Sequence, residues 1–565
     1  MAASLLHLSP LLLFPPRRRD LALLVLLCAS FRVPRRSSNA DIGVFVRCGV
    51  LGAQRDGSLK LRYAYREESV PFSKEENSQS RSKLPDKAYT DMDSMGEFER
   101  QLQDFFVEIK SQLEMGNKDD AIDLLRANYE SVREQIEDGL RGIEQAATLD
   151  IIALGYMGVG DFKIVEHLLD TLDEIVSMLN DDVPLVDSIL VHMGSMFTAL
   201  CKFEDALHAY ERSLKILEVY FGNQSPFLIL PLMGIAKVLR SIGRSTKAIA
   251  VYQRAVDILE KKRGMGSEEL VVPLSGLGNL LLSEGKAVEA ENCFSRILEI
   301  YKEAYGENDG RTGMAMSSFA HALCAKGNVE EAIDMYKRGL QVIKNTNYMA
   351  LDDSLLEKMR VDLAELLHVS GREQEGRELL QECLVITERF KGIEHPNSVT
   401  HLLNLAASHS RSKNFVEAER LLRTCLHIMS KSVRPDDQSI TVPMLHLAVT
   451  LYNLNQDQEA ESLALEAVRI REGSFGEESL PVGEALDCLV SVQARLGKND
   501  GDILCNLKRI LSIQERELGY ESEEVMITLK KIVFYLDKMG KKDEKLPIQR
   551  RLSMLKTRYK QNVPI

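Results

Sequence analysis

The sequence predicts an all-α fold in which about eleven antiparallel helix pairs stack as a solenoid from roughly residue 97 to residue 560. Three observations support that expectation. A six-residue phrase recurs at a fixed period, small residues hold fixed columns around it, and the composition suits close helix packing. Leu, Ala, Glu and Lys dominate, Trp is absent and aromatic residues make up only 6% of the chain.

The phrase ends in a small residue. It reads CKFEDA (Cys201–Ala206), GRSTKA (Gly243–Ala248), GKAVEA (Gly285–Ala290), GNVEEA (Gly327–Ala332), GREQEG (Gly371–Gly376), KNFVEA (Lys413–Ala418) and NQDQEA (Asn455–Ala460). Successive copies are 42, 42, 42, 44, 42 and 42 residues apart. Chance does not keep that register.

Columns accompany the phrase. Twelve residues before each final Ala or Gly stands another small residue: Gly194, Ala236, Gly278, Ala320, Ala364, Ala406 and Ala448. An apolar side chain precedes each of these: Met193, Ile235, Leu277, Phe319, Leu363, Leu405 and Leu447. Four residues after the phrase comes a large residue in most copies: Tyr210, Tyr252, Phe294, Tyr336, Leu380 and Leu422, then Ala464. Two antiparallel helices approach closely only where one side chain is small. A large residue one turn later fills the space on the same face. Glycine at the start of the phrase suits a tight turn between the two helices.

Weaker copies extend the array. GNKDDA (Gly116–Ala121) and GDFKIV (Gly160–Val165) lie upstream; GKNDGD (Gly497–Asp502) and GKKDEK (Gly540–Lys545) lie downstream. The expected organisation is therefore divergent repeats over 97–190, a regular array over 191–480, and degenerate or capping repeats with polar outer faces over 481–560.

The N-terminus is different in kind. Residues 1–66 hold eleven Lys or Arg against three acids, while the chain as a whole has a net charge of −13. Basic, acid-poor leaders are typical of organelle import signals. Met1–Pro16 is uncharged and opens Met-Ala-Ala-Ser, similar to a plastid transit peptide, and Val46–Gly49 resembles a stromal processing site. Leu21–Phe31 is apolar but, at eleven residues, too short to cross a bilayer. The expectation is a transit peptide over 1–48, a flexible polar linker over 49–96, no integral membrane segment, and a chloroplast location, with mitochondrion and cytosol as alternatives.

The columns resemble those of tetratricopeptide repeats. Ordinary repeats of that type are eight residues shorter, and the longer form resembles the repeats of the kinesin light chain family. The stretch Gly392–Ala406 (GIEHPNSVTHLLNLA) is similar to that family's start of a first helix, and eroded copies begin at Phe221-Gly222, Tyr305-Gly306, Phe475-Gly476 and Leu518-Gly519. The resemblance implies a right-handed solenoid, protein or peptide binding along a concave groove lined by the first helices, and no catalysis. The family's groove asparagine is matched at Asn404, where other copies read Gly234, Gly276, Ser318, Asp362 and His446. The heptad coiled coil that joins light chains to a motor is missing.

The face opposite the small column offers Ser195, Thr198, Met233, Lys237, Arg240, Ser275, Asn279, Leu282, Ser317, His321, Lys358, Glu365, His368, Leu403, Ser410, Leu445 and Tyr452. These residues, with Asn404, are the candidate groove. Lys237, Arg240, Asn279 and His321 are expected to suit an extended, acidic or carboxylate-bearing peptide. The two-carboxylate clamp of tetratricopeptide co-chaperones is incomplete, because its columns hold Met233 with Lys237 and Ser275 with Asn279.

Other classes are disfavoured. Acidic net charge argues against nucleic acid as the main partner. The nine cysteines (Cys28, Cys48, Cys201, Cys293, Cys324, Cys383, Cys425, Cys488, Cys505) form no CxxC pair and read as buried thiols rather than metal ligands or disulfides. Gly155, Gly158 and Gly160 have the wrong spacing for a phosphate loop, and no HExxH or Gly-x-Ser-x-Gly occurs. His401 and His409 read as surface or groove residues. No catalytic, metal or cofactor site is expected. The functional expectation is a plastid scaffold for client proteins; the alternatives are a cytosolic kinesin-light-chain-related adaptor and a regulator that occludes an enzyme.

Overall fold

The computed structural model describes the backbone of residues 86–561, which fall into two compact units dividing between Ala304 and Tyr305. The expected transit peptide and the linker up to residue 85 lie outside the described residues, and residues 86–96 are already helical. Among the described residues there are twenty-two α-helices and no strand.

The first unit comprises α1 (Asp86–Glu114) and α2 (Lys118–Glu137), α3 (Ile143–Val159) and α4 (Phe162–Met178), α5 (Val186–Ala199) and α6 (Phe203–Phe221), α7 (Ile229–Ser241) and α8 (Ser245–Arg263), and α9 (Val271–Ser283) with α10 (Ala287–Tyr305). The second comprises α11 (Gly310–Lys326) and α12 (Val329–Thr346), α13 (Ser354–Val369) and α14 (Glu373–Lys391), and α15 (Ser398–Arg411) and α16 (Phe415–Ser432). It continues with α17 (Thr441–Asn453) and α18 (Asp457–Phe475), α19 (Leu480–Arg495) and α20 (Asp500–Leu518), and α21 (Glu523–Lys538) with α22 (Lys542–Gln561). Odd-numbered helices are the first of each pair. Within each unit helices pack on their neighbours in sequence, and first helices such as α5 and α7, or α15 and α17, also touch directly. The expected count of about eleven pairs is met.

The recurring phrase marks one turn conformation. Its first residue has positive φ in all eleven pairs, including Gly116, Gly243 and Gly540 and also the non-glycines Cys201 (59°), Lys413 (60°) and Asn455 (63°). A left-handed residue here lets the backbone N–H of the next residue reach back to the helix, as Arg244 N does to Leu239 O at 2.8 Å. Gly264, between pairs, lies at φ 88° and ψ 164°, a region open essentially to glycine alone, and Gly222, Gly392, Gly476 and Gly519 match it. Where the column lacks glycine the chain takes another path: Asn347 is left-handed and Val433 extended.

The predicted core columns are inside. Ala236, Ala320, Ala364, Ala406 and Ala448 are fully buried, as are the phrase-ending Ala206, Ala248, Ala290, Ala332, Ala418 and Ala460. Tyr210, Tyr252, Phe294, Tyr336, Leu380 and Leu422 are buried beside them, each contributing about 1.5–3 kcal/mol of apolar burial. Of the apolar column only Phe319 is half-buried. Among the described cysteines, Cys293, Cys324, Cys383, Cys425 and Cys488 are buried and unpaired, and burial pushes the last four thiols up to about 12. Cys201 and Cys505 depart from the expectation: both are exposed, Cys201 in a turn and Cys505 on the outer side of α20. The last helix is not uniformly polar either, because Leu546 and Met554 are 51% and 61% exposed.

Candidate peptide-binding face

A partner needs side chains that the array leaves open, and on first helices these recur at i, i+3/i+4 and i+7. On α9 the open stripe is Val272, Ser275, Gly276, Asn279 and Leu282. On α7 Lys237 and Arg240 are exposed, whereas Met233 and Gly234 are buried. The cause is Tyr210, whose ring fills the space at Gly234: a Cβ there would stand 2.4 Å from the ring. The same ring also abuts Gly194, so it is clasped between α5 and α7. Tyr252 repeats the device against Gly276, at 2.5 Å. In α7 and α9 the column equivalent to Asn404 is glycine because a tyrosine of the preceding pair lies over it, whereas α5 carries His192 there, with its Nδ1 2.6 Å from Asp150 Oδ2.

In α11, α13, α15 and α17 that column is polar and half-buried. Ser318 and His321 line α11; Lys358, Asp362 and Glu365 line α13; Leu403, Asn404, Ala407, Ser410 and Arg411 line α15; His446, Val449 and Tyr452 line α17. Ser317, by contrast, is buried at 9% exposure and Leu445 at 8%, so the expected face is one position out of register at these two sites. The accessible neighbours are Ser318 and His446. Burial, with Asp362 also facing Glu365, raises the Asp362 carboxyl to about 6 despite nearby Lys358. Burial, then Lys358, lowers the His321 imidazole.

His368 is structural in its contacts. Its Nδ1 lies 2.6 Å from the Ala364 carbonyl and its Nε2 2.6 Å from Ser408 Oγ, joining α13 to α15. Burial first, and Arg411 second, lower its pKa to about 4, so the ring is neutral. The ring also explains a departure in the phrase. GREQEG ends in Gly376 because a Cβ there would be 2.7 Å from His368 Cε1. His401 is fully buried, which corrects its reading as a surface or groove residue; its Nε2 stands 3.1 Å from Glu357 Oε1, out of line for a hydrogen bond. Tyr452 is covered by the Arg495 guanidinium, 3.4 Å above its ring.

Of the candidate residues, Lys237, Arg240, Ser275, Asn279 and Leu282 thus belong to the first unit, and Ser317, His321, Lys358, His368, Leu403, Asn404 and Tyr452 to the second. Lys237, Arg240, Asn279 and Lys358 are exposed. Asp362 and Arg411 were outside the predicted set, although Arg411 follows Asn404 by seven residues, about two helical turns, on the same stripe. No cluster of three His, Cys, Asp or Glu side chains arranged to hold a metal occurs among the described residues. None of the described helices is long and apolar enough to cross a membrane.

Comparison with known proteins agrees with this geometry. The tetratricopeptide-repeat family matches residues 185–261, 269–345 and 355–431 in one form and residues 444–480 in another. The first three blocks start 84 and 86 residues apart, two repeats each, the longer interval containing the single 44-residue step. No curated protein sequence matches the chain. Similar solved structures include a kinesin light chain from Podosopora anserina with nearly identical TPR-like repeats (21% identity, 36% of this chain and 95% of that one, TM-score 0.33). Others are BtubC (BKLC) from P. vanneervenii (18%, 42% and 92%, TM-score 0.35) and the apo form of RapI (11%, 67% and 99%, TM-score 0.44). The matched residues are tetratricopeptide repeats, and the chain is a tetratricopeptide-repeat protein.

Proposed function

We propose that this protein is a non-catalytic scaffold that holds an extended segment of a client protein along the open stripe of its first helices, within a plastid. The observation supporting the binding role is the second-unit stripe through Ser318, Asp362, Asn404 and His446: polar, half-buried and repeated at the period of the fold. First helices packed about 8–10 Å apart would present such a side chain to about every third residue of one extended chain. The plastid location rests on the uncharged start and basic leader of the sequence.

The test has two arms. A fluorescent protein fused to the C-terminus should mark plastids; filaments or diffuse cytosol would end that part of the reading. Mass spectrometry of proteins co-purified with the wild type and with Lys358→Glu/Asn404→Ala should show clients lost from the variant. Identical recoveries would remove the stripe as the binding face.

A further inference from the structure

The chain reverses its charge near the C-terminus. Residues 530–560 hold eleven Lys or Arg against three acids, Asp537, Asp543 and Glu544, in a protein whose net charge is −13. They cover the second half of α21 and nearly all of α22, the last helix pair of the second unit. Part of this charge is used inside the fold. Lys531 reaches Asp487 at 2.5 Å and Lys538 reaches Asp500 at 2.7 Å, while Lys545, Arg551 and Arg558 pair with Asp537, Glu515 and Glu521. Lys530, Lys542, Arg550 and Lys556 are exposed and form no ion pair among the described residues.

Apolar side chains are interleaved with these cations. On α22, Lys542, Leu546, Arg550 and Met554 follow at four-residue steps and share one face, opposite the buried Leu552 and Leu555. Lys556 flanks that face, and on α21 Lys530 and Phe534 stand one turn apart, both exposed. Asp543 is exposed beside Lys542, in the first turn of α22, where the positive end of the helix offsets an acid. A nucleic acid would use the cations and leave Leu546 and Met554 in water. An anionic bilayer meets both features: headgroups take the cations, and the aliphatic side chains enter the acyl boundary. We propose that the last helix pair is a peripheral docking surface for an anionic lipid bilayer, with α22 lying in the plane of the interface. Such docking requires no membrane-crossing helix, and it is independent of the peptide-binding reading above.

The probe is the full chain mixed with vesicles of phosphatidylcholine alone, or of phosphatidylcholine with phosphatidylglycerol, with bound protein separated by flotation. The protein should float with the second vesicles only, and high salt should release it. Lys542→Gln/Arg550→Gln/Lys556→Gln should weaken binding roughly a hundredfold, about fivefold for each cation brought to an anionic surface. Leu546→Ala/Met554→Ala should weaken it as well. These side chains are exposed, so both variants should melt with the wild type. The chain has no tryptophan, so Met554→Trp places a single reporter at the site, and its fluorescence should shift to the blue on phosphatidylglycerol vesicles. That shift supports the proposal even if a multiple variant folds poorly. Failure to float overturns the proposal. Flotation with an unshifted spectrum, or flotation that survives the cation substitutions, assigns the binding to the basic leader and also overturns it. Vesicle binding that Leu546→Ala/Met554→Ala leaves unchanged, together with equally tight binding of a single-stranded oligonucleotide, makes the surface a general polyanion site and overturns it too.

Discussion

At the scale of single residues, the turn between paired helices shows how a local rule is met and where it is strained. Eight of the eleven turns use glycine in the left-handed region, and Cys201, Lys413 and Asn455 adopt the same conformation with a side chain. Asparagine tolerates it; a cysteine or lysine meets the clash between Cβ and the following carbonyl. Cys201→Gly and Lys413→Gly should each stabilise the fold by roughly 1 kcal/mol, net of the added unfolded-state entropy, read as a higher urea midpoint. An unchanged midpoint would mean that the turn relaxes around these residues. His368 gives a pH-dependent case. Its folded pKa, about 4, lies below its ordinary 6.5, so the unfolded chain binds the proton more readily between these values. Its contribution is fully present above pH 6.5 and is lost as the pH falls towards 4. His368→Gln retains hydrogen-bonding groups and cannot titrate. Its melting temperature should fall less steeply than that of the wild type between pH 6.5 and 4.

At the scale of elements, the interlock of Tyr210 with Gly194 and Gly234 joins one pair to the next. Gly234→Ala places a methyl group 2.4 Å from the ring, in a fully packed layer, and should cost roughly 1–3 kcal/mol in thermal or urea melting. Tyr210→Leu in the same chain should recover part of that loss, because the shorter side chain leaves room for the methyl; a double variant no better than the single one would place the damage in the helix itself. Second helices are linked differently, by ion pairs such as Glu218 with Arg254 and Glu260 with Arg296, both at 2.5 Å and 36 residues apart. Such partly exposed pairs are worth about 0–1 kcal/mol each, so the buried aromatic interlock outweighs them. The helix pairs themselves were legible in the sequence because a small residue at a crossing and a glycine at a turn admit few substitutes. The open stripe was legible only to within one position. Periodicity places Ser317 and Ser318 on adjacent edges of the same face, and which edge stays open depends on the tilt of the neighbouring helix.

At the scale of the whole molecule, contacts run mainly between helices adjacent in sequence, in both units. In such an array stability is approximately a sum of each pair's own stability and the interfaces with its nearest neighbours. A local lesion should then open a local region, and a single free energy of unfolding would not describe the chain. Gly234→Ala tests this directly. Amide hydrogen exchange should quicken in α5 to α9, where Tyr210 and its neighbours pack, and the rates in α15 to α21 should equal those of the wild type. The two units make the contrast measurable in one experiment, since the lesion lies wholly in the first and the reference helices wholly in the second. Faster exchange throughout α15 to α21 would mean that the array opens as one cooperative body. A client bound along the second-unit stripe would then lose affinity through a substitution far from it in sequence, whereas local opening predicts that Gly234→Ala leaves that binding unchanged.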